Sequence, residues 1–551
     1  MSVSTHEVTN QAEPLVDVNL FRANRPLQDA LRFNLPSFDE ARFHALGDEV
    51  GSAAMQQHAR LANTYTPTLQ THDRFGRRVD QVEFHPSYHA LMEAACRHRL
   101  HGTPWSEGPG GHIERAAAFM LFTEAEPSIL CPISMTYAVT PALRANAALS
   151  ADWGAKLAST EYDGRFVPSG LKTGVTMGMG MTEKQGGSDV RANTTRAVVD
   201  GEDAWGARYR LTGHKWFMSA PMCDAFLVLA QSPGGLSCFF LPRWLPDGSV
   251  NAIQVQRLKH KLGNQANASS EVEFHDAVAW RVGDEGRGIP QILAMGAITR
   301  LDCALGTAGL MRQALSIALH HTAQRKAFGK TLAEQPMMKN VLADLALESE
   351  AATALALRLA RTVDASEHGQ DPHEALLRRV ITPVVKFWIC KRGSHFAEEA
   401  MECLGGNGYV EEQGEGVMAR IYREMPVNSI WEGSGNIMAL DLLRALRGGA
   451  VAAALEKELA PVKGASAAID RVLAATLHAV DGGTEEAQAR TLARDLALLL
   501  QAALLRQHST DAVFDAFSAT RFPSAPDVFG ALPAGIDFDS IIRRSMPWET
   551  T

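Results

Sequence analysis

The residues best suited to chemistry lie within Leu404–Asn436. Gly405-Gly406-Asn407-Gly408-Tyr409 is followed by Arg423 and then by Ile430-Trp431-Glu432-Gly433-Ser434-Gly435-Asn436. Glu432 is a lone acid on a turn of small residues, after backbone that glycine lets approach a ligand closely. A carboxylate desolvated against a flat ligand becomes a stronger base, the tuning needed to remove a carbon-bound proton. Alone, Glu-Gly-Ser would read as a helix-capping turn. A second segment changes that reading. Gly178-Met179-Gly180-Met181-Thr182-Glu183-Lys184-Gln185-Gly186-Gly187-Ser188-Asp189 precedes a strand-rich region, and Lys215-Trp216-Phe217-Met218-Ser219 follows about thirty residues on.

A flavin needs hydrogen bonds to its ring edge, an apolar face to stack on and backbone N–H groups for its pyrophosphate. Thr182, Gly187 and Ser188 supply hydroxyl and amide donors from a loop that glycine lets pack tightly. Trp216 and Phe217 supply an aromatic wall, and Ser219 a hydroxyl for the reactive N5 edge.

Elements must hold these residues in place, and the chain alternates between two kinds. Up to about residue 172 it reads mainly as helices, with apolar residues at three-and-four spacing in Phe38–Leu61 and Tyr88–Arg99. After Gly174 come Ala225–Gln231, Ser237–Arg243, Ala252–Leu258 and Ser270–Val282, short segments rich in Val, Ile and Phe between turn residues, as in an antiparallel β-domain. Helical periodicity returns in Ile289–Lys326, Pro336–Arg361 and Glu374–Leu404, which suits a bundle. The last stretch is Ala- and Leu-rich and helical to about Ala519, then irregular through Pro523–Pro533.

The glycine-rich segments, taken with Arg325-Lys326-Ala327-Phe328-Gly329, resemble the acyl-CoA dehydrogenase family of flavoproteins from roughly Phe119 to Leu446. Within that family the chain resembles the AidB subfamily of DNA-alkylation-response flavoproteins. Met181–Val190, Asn193–Arg196, Lys261–Asn264, Tyr422–Asn436, the opening Thr5-His6, Asn10-Gln11, Leu15 and Asn19-Leu20, and the long C-terminal extension carry that likeness. The resemblance implies four parts: an N-terminal α-helical domain over 1–172, a central β-barrel domain over 173–285, a C-terminal helical bundle over 286–448 and an additional helical domain over 449–551.

It also implies FAD as cofactor. Besides the Thr182 and Trp216 segments, it assigns Met181, Arg423, Trp431, Gly433, Ser434 and Asn436 to the cofactor. Arg325, Phe328, Gln335, Gly405 and Gly406 match positions that hold pyrophosphate and adenine across a subunit interface, where an arginine fork grips phosphate. Sites shared in that way imply a homo-oligomer, expected to be a tetramer built as a dimer of dimers. A glutamine usually precedes the glycine pair where this chain has Glu402. Glu432 matches the base that removes the α-proton of an acyl-CoA thioester while the β-hydride goes to flavin N5. The alternative place for that base, on an earlier helix, here holds Thr299 before Arg300. Trp431, where tyrosine is common, would reshape the acyl pocket.

Composition bounds the remaining roles. The chain has 551 residues, 46% hydrophobic and 21% charged, with seven scattered cysteines and no C-x-x-C pair. A cytoplasmic protein with reduced thiols is expected, without a disulfide framework, a metal site or a membrane span. Phe328-Gly329-Lys330-Thr331 only imitates a phosphate-binding loop, since Gln324 stands in place of its first glycine. The resemblance offers two functions: dehydrogenation feeding an electron-transfer flavoprotein, and contact with duplex DNA through the last domain. Its basic residues would be Arg444, Arg447, Arg490, Arg494, Arg543 and Arg544. Residues 449–551 nevertheless carry nine Lys/Arg against thirteen Asp/Glu, a net of −4, whereas phosphate binding favours a basic surface.

Overall fold

A computed structural model describes residues 5–369, 371–414, 416–447, 450–522 and 528–548, and in it the strand signals after Gly174 become a closed sheet. The described chain packs into two compact units. One takes residues 57–118 and 126–302 and contains the sheet; the other takes the described residues up to 56, residues 119–125 and the chain from 303 on, and is mainly helical.

The first unit opens with a hairpin, β1 (Thr68–His72) and β2 (Arg78–Glu83), inside a segment whose sequence reads mainly as helical. The run is too short and too alternating for a helix, and Gly76 takes φ +80° at its turn. Arg78 ties the hairpin to the barrel by donating to the Val255 carbonyl at 3.1 Å. Helix Pro86–Arg97 follows, capped by the His85 ring, which accepts from the Ser87 N–H.

The barrel comprises β3 (Met177–Gly180), β4 (Arg196–Asp203), β5 (Gly206–Ser219), β6 (Ala225–Ser232), β7 (Gly235–Pro242), β8 (Ile253–Leu258) and β9 (Ser269–Val282). The strand β5 pairs β4 on one side and β9 on the other; β9 continues to β7, β7 to β6, and β6 returns to β4 through Arg196↔Gln231. The four strands expected from composition appear within two residues of their expected bounds. Not every pairing is antiparallel: β3 runs parallel to β6, and so does β4 at its single contact. In β6 every residue from Ala225 to Ala230 is buried, the pattern of a strand covered on both faces.

The second unit is a bundle centred on helix Pro372–Glu402, which packs on Pro336–Glu367, Val417–Ile430, Gly435–Leu446 and Ala489–His508. The helical stretch expected over Phe38–Leu61 is two helices, Glu40–Gly51 and Ala53–Thr64, interrupted at Ser52, whose backbone is extended. Chain beyond residue 449 builds this unit rather than standing apart from it. Arg521 bonds Asp344 at 2.6 Å and Glu348 at 3.1 Å, Arg544 pairs with Glu350 and Asp29, and Gly530 N–H donates to Asp344. Helix Phe538–Arg544 lies beyond the stretch read as irregular, of which residues 523–527 fall outside the described chain.

Candidate functional site

In the barrel unit, the glycine-rich loop is fixed from beneath by one acid. Glu183 has no exposed side-chain surface and accepts from the backbone N–H of Thr194 and Thr195, the Thr194 hydroxyl, the Gln185 amide and Lys215 Nζ, the last at 2.7 Å. Burial alone would raise its pKa, but Lys215 and these hydrogen bonds prevail and bring it down to about 2. Lys215 also donates to the Leu229 carbonyl on β6 at 2.7 Å. The loop joins β5 through Trp216 N–H on the Thr182 carbonyl at 2.8 Å, and Asn193 holds the Met181 carbonyl at 3.0 Å.

This frame leaves the expected ligand-facing groups uncommitted. Among the described residues the Thr182 and Ser188 hydroxyls make no hydrogen bond, and Phe217 is half exposed. Gly187 is required by space: a Cβ there would lie 2.4 Å from the Thr182 hydroxyl. Free hydroxyls, a half-exposed aromatic ring and backbone stripped of side chain fit a flavin, although Lys259 Nζ lies 4.7 Å from the Phe217 centroid. Trp216 is less available, since Lys259 Nζ sits 3.3 Å from its ring centroid, a cation–π contact. Ser219 and Ser269 face each other with 3.3 Å between their hydroxyl oxygens.

In the helical unit, Glu432 follows helix Val417–Ile430 and precedes helix Gly435–Leu446. Its φ is +58°, and Gly433 follows at +103°. Left-handed backbone at a residue with a Cβ costs of order 1–2 kcal/mol and has to be held from outside. Lys386, buried on helix Pro372–Glu402, does so. Its ammonium donates to the Trp431 carbonyl at 2.9 Å and also to the Gly433 carbonyl, bracketing the acid. Trp431 is oriented by its indole N–H on Asn428 at 3.1 Å. A Cβ at Gly435 would meet Lys391 Cε at 2.9 Å, so the end of that lysine side chain would have to shift to admit one. Ser434 occupies the N-cap of its helix without a side-chain capping bond, and Asn436 accepts from Arg490 at 3.1 Å.

The remaining expected positions fall into two groups. Gly405, at φ +60°, and Gly406 face open space, and Phe328 is 98% exposed. Arg325 and Gln335 brace a small hairpin, donating to the Asn10 and Ala327 carbonyls at 2.6 and 3.1 Å. That hairpin is what the phosphate-loop-like Phe328–Thr331 forms. Arg423 presents no free fork, for Glu411 takes both of its terminal nitrogens at 2.6 Å. Thr299, in the alternative base position, donates to the Gly296 carbonyl.

Among the six arginines considered for DNA, Arg444 pairs with Asp441, Arg494 with Asp495, and Arg544 with Glu350 and Asp29. Arg490 engages Asn436. Arg447 and Arg543 alone of the six form no ion pair or hydrogen bond among the described residues, although Arg543 lies close enough to Asp537 to help lower its pKa. Sequence reasoning missed Lys386, because nothing in one helical lysine announces a turn forty-five residues away.

The chain matches known protein families over most of its length. Residues 10–164 match the Adaptive response protein AidB N-terminal domain, 178–277 the acyl-CoA dehydrogenase middle domain and 286–447 the acyl-CoA dehydrogenase C-terminal domain. The chain is 50% identical over 479 residues to the putative acyl-CoA dehydrogenase AidB of Escherichia coli K12, covering 86% of each. It is 30% identical over 533 residues to acyl-CoA dehydrogenase family member 11 of Caenorhabditis elegans, covering 90% of this chain and 84% of that one. The crystal structure of Caenorhabditis elegans ACDH-11 in complex with C11-CoA superposes with a TM-score of 0.81 at 27% identity, over 99% of this chain and 93% of the other.

Proposed function

Since the chain belongs to the acyl-CoA dehydrogenase family, FAD-dependent oxidoreductases acting on CH–CH bonds, and within it to the AidB type, we propose that it oxidises an acyl-CoA thioester with Glu432 as base. The carrying observation is the turn itself: an acid at left-handed φ, bracketed by the Lys386 ammonium on the carbonyls either side. Such preorganisation suits a base that must meet a weakly acidic C–H in one geometry. Glu432 takes the α-proton onto its carboxylate. The Thr182–Ser188 loop and the Phe217 ring would hold FAD, which would supply the acceptor for the β-hydride. Trp431, in a position where tyrosine is common, would narrow or reshape the acyl pocket.

Anaerobic titration of the FAD-loaded protein with isovaleryl-CoA tests this. Bleaching of the visible flavin band that Glu432→Gln abolishes supports the reading; a wild-type protein that stays oxidised overturns it. Electrons would then pass to an electron-transfer flavoprotein. Assembly into a homotetramer is part of the proposal, supported by the apolar surface that Phe328, Met337 and Tyr409 expose.

The likeness to AidB supports a further role in the adaptive response to DNA alkylation, with the protein in the cytoplasm. On this chain duplex DNA would rest chiefly on Arg447 and Arg543, because the other four arginines are engaged. A binding constant falling with salt at a slope that shrinks by about one for each of Arg447→Ala and Arg543→Ala tests that contact. The catabolic alternative, in which the last segment serves assembly only, is supported by the buried pairs of Arg521 and Arg544.

A further inference from the structure

The barrel unit contains a cavity of about 260 Å³ that none of these roles uses. Its walls come from the end of β2, helix Pro86–Arg97, the loop around Tyr162–Phe166 and the turn leaving β5. Phe84 and Tyr88 stack face to face with centroids 4.0 Å apart, and Phe166 closes another side, backed by Trp244 at 5.2 Å. Met92 and Met222, side chains that adapt to irregular shapes, also line it.

Gln81, Glu83, Asp163, Lys172 and Thr176 also line it, so the wall is mixed, and two of its polar groups beside the rings lack partners. Tyr88 is 5% exposed, lines the cavity, and its hydroxyl makes no hydrogen bond among the described residues. His89 shares its Nδ1 with the Tyr162 hydroxyl at 3.0 Å, which leaves Nε2 without a partner among the described residues. Polar groups that face a cavity without a protein partner are normally satisfied by water or a ligand. The one lysine on the wall, Lys172, is neutralised by Asp224 at 2.6 Å. Asp163 is held by Arg165 and Glu83 is exposed, so an anionic ligand would lose its hydration without gaining a counter-ion.

We propose that this cavity is a second binding site, separate from the flavin and acyl sites, for a small neutral molecule with a flat apolar body and one hydroxyl. At about 30 Å³ per water-sized group, the volume of about 260 Å³ holds roughly nine non-hydrogen atoms. A hydroxyl suits both open groups, since it can donate to one and accept from the other whichever tautomer His89 adopts. The aromatic body lies among Phe84, Tyr88 and Phe166, where ring pairs add to the gain from burial. The occupant would touch Ala220 and Cys223, in the turn that follows Ser219 directly.

The test is ligand-observed NMR and calorimetric titration of the FAD-loaded full chain with 4-ethylphenol, ethylbenzene and 4-ethylbenzoate. The site predicts saturable one-to-one binding of 4-ethylphenol with a dissociation constant below about 1 mM. Tyr88→Phe should weaken it about tenfold, and ethylbenzene should bind about as weakly as 4-ethylphenol binds that variant. Met222→Trp and Met92→Trp, each checked for a cooperative melt, should abolish binding by filling the space. Three results overturn the proposal: no saturable binding to the wild type, unchanged binding in both filled variants, or tighter binding of 4-ethylbenzoate. Displacement of 4-ethylphenol by isovaleryl-CoA would also overturn it, by moving the ligand to the acyl pocket. Failure here leaves the dehydrogenase reading untouched, since that is read from flavin bleaching.

Discussion

Lys386 grips the backbone on both sides of Glu432, through the carbonyls of Trp431 and Gly433, so a buried cation fixes a turn that its own φ angles disfavour. Hydrogen bonds from a charged donor contribute about 1.5–3 kcal/mol each, enough to offset the left-handed strain.

Lys386→Met removes that grip and leaves two carbonyls without their donor. The expected result is a protein that still binds FAD but is reduced by isovaleryl-CoA about 10- to 100-fold more slowly, with stability lower by about 2 kcal/mol. Stopped-flow absorbance and thermal melts read the two effects separately. A full rate with a lowered melting point would show that the turn keeps its shape without the lysine.

Gly187→Ala puts a methyl group where the Thr182 hydroxyl lies 2.4 Å away. Because this crowding is confined to a surface loop, FAD affinity should fall about tenfold or more while the apo-protein melts within a degree or two of wild type. Equilibrium dialysis against FAD measures the first, and calorimetry the second.

Glu183 sets a lower pH limit. The folded protein holds it at about 2 against an ordinary 4.5. Its stabilisation is therefore complete above pH 4.5 and is lost as pH falls from there toward 2. In Glu183→Gln this part of acid unfolding should be missing. The variant should also be about 3–5 kcal/mol less stable at pH 7, where Lys215 is left buried without its partner. Urea midpoints from pH 2.5 to 7 check both.

Glu124 acts in the opposite direction. Burial pushes its carboxyl up to about 8, against the pull of Arg312. The fold keeps a proton that the unfolded chain releases above about 4.5, so this group lowers stability as pH rises from 4.5 to 8. Glu124→Gln should leave stability at pH 4 nearly unchanged and raise it at pH 8 by about 2–4 kcal/mol, measured by urea denaturation at the two pH values. Equal effects at both would mean that the side chain ionises freely.

The legible parts of this protein were those written in consecutive residues. Glu432 with its glycines, the Thr182–Ser188 loop and strands such as β6 and β9 each announce themselves within fifteen residues. What could not be read depends on partners far along the chain. Lys386 reaches a turn forty-five residues on, Arg521 finds Asp344 across 177 residues, and Arg544 finds Glu350 across 194. Arg544 therefore counts in sequence among the candidate DNA-contacting arginines, whereas its guanidinium is committed to two acids. The hairpin β1–β2 was hidden by its shortness, and the parallel pairing of β3 with β6 by the two strands that intervene in sequence.

The acids Asp344, Glu348 and Glu350 stand on one helix, and arginines made some 170 to 200 residues later complete their pairing. During synthesis that helix emerges with carboxylates it cannot bury, since an uncompensated buried charge costs several kcal/mol. The helix must wait, solvated and only partly packed, while the ribosome adds the intervening chain. Completion of this bundle thus depends on residues made last, and a chain cut short before Arg521 would leave these acids without their late partners.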